Sequence, residues 1–103
     1  MAESAFMRAL WLRLGSIPGL RLWRQNAGQI EGVRLAPTGA ADLTGICAGG
    51  RRIEIETKAV GCKQTPDQVK WETMIKRHGG VYVLCSEGEG VDACVAKVLK
   101  EIQ

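Results

Sequence analysis

Asp42, Glu56 and Lys58 are the residues whose types and spacing point most directly to chemistry. Asp42 closes Gly39-Ala40-Ala41-Asp42, Glu56 and Lys58 belong to Ile53-Glu54-Ile55-Glu56-Thr57-Lys58, and Ala48-Gly49-Gly50-Arg51 joins the two segments. If Ala48, Gly49 and Gly50 form a three-residue hairpin loop, Cys47 faces Arg51 and Asp42 faces Glu56. Side chains alternate along a strand, so Glu56 and Lys58 then share a face and Asp42 joins them from across the ladder. A two-residue Gly49-Gly50 turn would instead pair Asp42 with Thr57 and separate the carboxylates. Two carboxylates offer the hard oxygens that Mg²⁺ or Mn²⁺ prefers, and Mg²⁺ takes only one or two of them beside waters and substrate phosphate. The carbonyl of Thr57 is a further candidate ligand. Lys58 could orient an attacking water or meet charge building on a phosphate. The reaction this set would suit is phosphodiester hydrolysis. The competing reading is a solvated strand face made of Glu54, Glu56 and Lys58.

The elements that must position these residues follow from periodicity and turn signals. Residues 2–14 read as a helix, with Phe6, Leu10 and Leu14 on one face and Met7 and Trp11 widening the stripe. Glu3 sits in its first turn, where a negative charge suits the helix dipole without any metal. Leu20–Trp23 starts a short strand, and 29–35 is a second, weaker strand candidate. Between them, Asn26 could bond a phosphate or stabilise a turn, while Arg24 and Arg34 are the preferred phosphate contacts. Strands at 42–47 and 51–58 form the hairpin, and a polar connection with Lys63 follows. Thr65-Pro66-Asp67-Gln68 then opens a helix as N-cap, N1 and N3, so a capping box alone accounts for Gln68. That helix carries Val69, Trp71, Met74, Ile75 and His78 and stops at Gly79-Gly80. Val81–Cys85 is a continuously apolar strand, and 91–102 is a final helix. Trp11, Trp23 and Trp71 could stack on bases, but packing is the commoner use of such residues.

A chain of 103 residues, 46% hydrophobic and 24% charged, reads as one globular domain able to bury roughly two-thirds of its extended surface. No apolar run approaches the roughly 20 residues of a membrane span, and Glu3 and Arg8 interrupt any signal-peptide pattern, so an intracellular protein is expected. The four cysteines lack paired metal-ligand spacing, which favours reduced thiols over a zinc site. The net charge of +3 is modest but unevenly placed. Arginines crowd the first half around few acids, whereas Glu87, Glu89 and Asp92 collect near the C-terminus. Cations flanking a carboxylate site suit a polyanionic substrate; the alternative is a scattered basic surface with no binding role.

Read in order, Glu3, Trp23-Arg24-Gln25-Asn26-Ala27-Gly28, Gly39-Ala40-Ala41-Asp42-Leu43, Gly50-Arg51, Ile55-Glu56-Thr57-Lys58, Thr65-Pro66-Asp67-Gln68 and Gly79-Gly80 span nearly the whole chain. This series resembles the virus-type replication-repair nuclease (VRR-NUC) domain, a branch of the PD-(D/E)XK nuclease superfamily. The resemblance implies a single α/β domain over 1–103, with a PD-(D/E)XK nuclease-like core whose central mixed sheet is flanked by helices. It implies Mg²⁺ or Mn²⁺ held by Asp42 and Glu56 with the Thr57 carbonyl, Lys58 as catalytic lysine, Gln68 near the site, and Glu3 as a third carboxylate. Ala41 stands where the superfamily motif has proline, and Thr57 where an aliphatic residue is frequent.

The expected activity is a metal-dependent DNA endonuclease, with Arg24, Asn26, Arg34 and Lys63 on the DNA. Small standalone members of the family resemble Holliday-junction resolvases working as homodimers, in the cytoplasm of bacterial or phage-infected cells. Symmetry agrees, because one site cuts one strand and paired cuts need a two-fold dimer. The alternatives are a nonspecific, flap or nicking nuclease, and a nucleic-acid-binding module that keeps the fold without turnover.

Overall fold

The computed structural model describes residues 4–25, 29–34 and 36–103, the side chains of Gln29 and Arg34 excepted. Helix α1 (Ala5–Gly15) is capped by Ser4, whose hydroxyl accepts the Met7 N–H at 3.0 Å. It buries Phe6, Met7, Leu10 and Leu14, the stripe its spacing predicts. Strand β1 (Leu20–Arg24) follows, turning Leu20 and Leu22 inward and Arg21 and Trp23 outward.

The segment read as one weak strand over 29–35 is instead a small hairpin, β2 (Gln29–Ile30) and β3 (Val33–Arg34). Glu31 and Gly32 turn it, at φ 50° and 80°, the left-handed pair that a tight two-residue turn requires. Its Ile30 and Val33 side chains are exposed, so no buried face gave it a periodic signature.

Strands β4 (Leu43–Cys47) and β5 (Arg51–Lys58) make the central hairpin. Helix α2 (Pro66–Arg77) then leads into β6 (Val81–Ser86), and α3 (Val91–Ile102) ends the fold. The sheet order is β1-β4-β5-β6, with β1, β4 and β5 antiparallel and β6 parallel to β5. Parallel neighbours need a crossover, and α2 provides it.

Alternation along the strands sorts the two faces. Ile53, Ile55, Leu43, Val81, Val83 and Cys85 pack with α1 and α3 into the larger core. The opposite face carries Tyr82 beneath α2, where Ala41 and Ile75 are buried and Trp71 and Met74 lean in. The result is a mixed α/β fold in which a four-stranded sheet lies between helices. Among the described residues, no helix is long and apolar enough to cross a membrane.

Candidate functional site

The hairpin loop decides the register. Ala48–Gly50 is a three-residue connection in which Gly49 and Gly50 take φ 81° and 74°, and Cys47 pairs with Arg51 and Leu43 with Ile55. One step further along this ladder, Asp42 lies opposite Glu56. Asp42 stands just ahead of β4 rather than inside it. The turn before it rests against the first turn of α2: a Cβ on Gly39, at φ +85°, would collide with the Asp67 carbonyl.

From there the Asp42 carboxylate reaches the backbone of β5. Its Oδ2 accepts the Thr57 N–H at 2.9 Å and the Thr57 hydroxyl at 2.8 Å. Two donors from one residue fix the plane of the carboxylate, a role for Thr57 that strand alternation does not announce.

Glu56 is buried, with 3% of its surface exposed. Its Oε2 accepts the Gln68 amide N–H at 3.1 Å and faces the Lys58 ammonium at 3.6 Å. Its Oε1 is buried and, among the described residues, has no hydrogen-bond partner. Burial pushes the carboxyl up from its ordinary 4.5 to about 7; the Asp42 charge adds to the rise and Lys58 opposes it.

Gln68 serves two ends at once. Its Oε1 accepts the Thr65 N–H at 2.9 Å while the Thr65 hydroxyl accepts the Gln68 N–H at 3.2 Å, completing the capping box. The remaining amide nitrogen is what holds Glu56. The cap therefore aims the side chain at the site rather than competing with it.

These groups open into one pocket of about 310 Å³ at the end of the sheet. Asp42, Glu56, Lys58 and Gln68 line it together with Arg24, and Phe6 and Met7 of α1 form an apolar wall. Cys62 and Glu87 also line it. No family model, curated protein or solved structure matches this chain.

The remaining expectations divide. Glu3 and Asn26 lie outside the described residues, as does the Arg34 side chain. Ser4, next to Glu3, does line the pocket. Lys63 is exposed on the connection after β5 and does not line the pocket. Trp11 and Trp71 are half-buried, their indole N–H groups donating to the Leu22 carbonyl and to Glu54, while Trp23 is 46% exposed. His78 is exposed at the end of α2, with its Nδ1 2.9 Å from the Met74 carbonyl. Val69, counted with the apolar residues of α2, is also exposed, because that helix packs only one narrow side on the sheet.

The solvated-face reading of β5 is overturned. Glu54 is wholly buried and Glu56 nearly so, because α2 covers the side of the sheet they occupy. Glu54 is not among the candidates named from the sequence above; its place one pleat before Glu56 is the signal that points to it. Among the described residues, no group of three or more His, Cys, Asp or Glu side chains is gathered to hold a metal ion. Two carboxylates are nonetheless enough for a cation that keeps most of its waters. The lone Glu56 oxygen, hard, buried and without a donor, is the kind of atom such a cation satisfies.

Proposed function

We propose that the chain is a divalent-metal-dependent DNA endonuclease of the VRR-NUC type, with its sheet and helices forming a PD-(D/E)XK nuclease-like core. One observation carries this reading. Asp42, Glu56 and Lys58 line a single pocket, and a buried oxygen of Glu56 there has no partner among the described residues. A carboxylate kept from water at such cost, without a donor, suits a site that receives a ligand.

Asp42 and Glu56 would hold Mg²⁺ or Mn²⁺, with the Thr57 carbonyl as a third protein oxygen. When bound, the cation supplies positive charge to a phosphoryl oxygen and makes its water a better nucleophile. Everything else is work for the chain's own side chains. Thr57 holds the Asp42 carboxylate through two donors, and Gln68 holds Glu56 from the other side. Lys58, only 14% exposed and 3.6 Å from Glu56, keeps its ammonium beside that carboxylate, where it would face charge developing on the phosphate. Phe6 and Met7 limit water on one wall. Arg24, also in the lining, would meet a neighbouring phosphate, and Lys63, outside the lining, would be a further DNA contact, as would Asn26 and Arg34.

Branched DNA, four-way junctions foremost, is the proposed substrate and a homodimer the proposed form, because symmetric cuts in two strands need two sites related by a two-fold axis. The deciding experiment incubates the protein with labelled four-way junction, flap and linear duplex DNA in Mg²⁺, Mn²⁺ or EDTA, beside Lys58→Ala. Metal-dependent paired cuts in the junction, lost in the variant, are expected. Equal cutting of every substrate would keep the chemistry and remove the junction preference. Binding without cleavage in either metal would overturn the enzyme reading. Sedimentation with junction DNA at micromolar protein tests the dimer, which a monomer would exclude.

A further inference from the structure

Glu54 is buried more completely than the proposed site itself, at 0% exposure, and it is surrounded by donors. Its Oε1 accepts the Ala41 N–H at 3.3 Å and the Trp71 indole N–H at 2.5 Å. Its Oε2 accepts from the Thr44 hydroxyl at 3.5 Å and pairs with the Arg52 guanidinium at 3.0 and 3.1 Å. The donors come from four segments: the turn before β4, β4, β5 and α2.

Three of those segments deliver the pocket's own groups: β5 carries Glu56 and Lys58, and Glu54 ties to it the turn that carries Asp42 and the helix that carries Gln68. Ala41 immediately precedes Asp42. Trp71 lies three residues after Gln68, on the neighbouring turn of the same helix side. We propose that Glu54 is a positioning residue for the site, a clamp that sets Asp42 through Ala41 and Gln68 through Trp71.

Packing alone does not call for a carboxylate here. Its neighbours between sheet and helix, Ala41, Ile75, Tyr82 and Met74, are mostly apolar, and a leucine would fill that layer without removing a charge from water. A carboxylate contributes direction instead. Its two oxygens fix the angles at which the turn and the helix approach β5. The Gly39 turn already touches the first turn of α2, so a small rotation of either segment would move Asp42 against Gln68.

The inference rests on the nuclease reading for its consequence in catalysis, whereas its geometry can be tested on metal-free protein. The Thr57 amide reports on Asp42, since Asp42 accepts its N–H, and the Gln68 side-chain amide reports on Glu56. Both would be followed by nuclear magnetic resonance and hydrogen exchange in Trp71→Phe, Glu54→Gln, Glu54→Leu and Arg52→Met. In Trp71→Phe the Gln68 amide signals should shift and exchange roughly fivefold to tenfold faster, the worth of one buried hydrogen bond. Glu54→Gln, which keeps one acceptor oxygen for Trp71 and Ala41, should stay near wild type at both reporters. Arg52→Met should move neither. Glu54→Leu should move both; if it does not fold, Trp71→Phe and Glu54→Gln decide.

A Trp71→Phe protein that melts earlier yet keeps both reporters unchanged would reduce Glu54 to a packing group and overturn the clamp. Reporters that move as expected in a protein whose wild type cleaves no DNA in Mg²⁺ or Mn²⁺ would leave the clamp standing and remove the nuclease reading. Where the wild type does cleave, Trp71→Phe should also weaken Mn²⁺ binding severalfold.

Discussion

Glu54 and Glu56 sit one pleat apart on the same face of β5, and both are buried beneath α2, yet their surroundings are opposite. Glu54 has donors on both oxygens, from Ala41, Thr44, Arg52 and Trp71. Glu56 has Gln68 and Lys58 on one oxygen and, among the described residues, no partner on the other. Burial by itself therefore says little about what a carboxylate does. Satisfaction does: a saturated carboxylate organises its surroundings, and one left short retains the capacity to bind.

The contrast can be broken most severely from the Glu54 side. Replacing Glu54 by leucine strands buried donors of Ala41, Thr44 and Trp71, and should lower unfolding free energy by about 4 kcal/mol in urea titrations. Glu56→Leu in EDTA should cost far less, since only Gln68 and Lys58 lose a partner, and a loss matching that of Glu54→Leu would end the distinction. On the activity proposed above, the site side should weigh more. Lys58→Ala, with its fold intact by circular dichroism, should cleave junction DNA on the order of 100-fold to 1,000-fold more slowly.

The pH dependence sharpens the comparison further. The Glu56 carboxyl titrates near 7 in the fold, against an ordinary value of 4.5. The folded protein thus keeps a proton that the unfolded chain has released, so this contribution is whole below 4.5 and is lost as pH rises through 7. Among the described residues, Asp42 and Lys58 from the sheet end, Tyr82 of β6 and Gln68 from α2 face it. Unfolding free energy in EDTA should fall by up to about 3 kcal/mol between pH 4.5 and 8, and Glu56→Gln should flatten that slope. Mn²⁺ at pH 8 should restore stability to the wild type and not to Glu56→Gln. The smallest effect expected is that of Thr57→Val, which removes one of two donors to Asp42. It should cost about 1 kcal/mol of stability and weaken Mn²⁺ binding a few-fold, measured calorimetrically.

Much of this was legible in the chain. The length of the Ala48–Gly50 loop set the register, and with it the meeting of Asp42 and Glu56. Glycines at its end, the Thr65–Gln68 cap and the stripes of α1 and α3 act over a few residues, and such short-range terms are written directly in sequence. The hairpin at 29–34 left little trace, because its apolar side chains cover no core.

What tertiary structure alone decided is the environment of the β5 acids. An alternating Glu-x-Glu-x-Lys strand suits water or a helix equally well, and the choice depends on α2 crossing over that face on its way to β6. The same crossing brings Trp71 to Glu54 and Gln68 to Glu56, across 17 and 12 residues of chain. Residue types and their parity along the strand are written in the chain itself. Which carboxylate is saturated and which is left open is a long-range outcome, set by the donors that other elements carry to each oxygen.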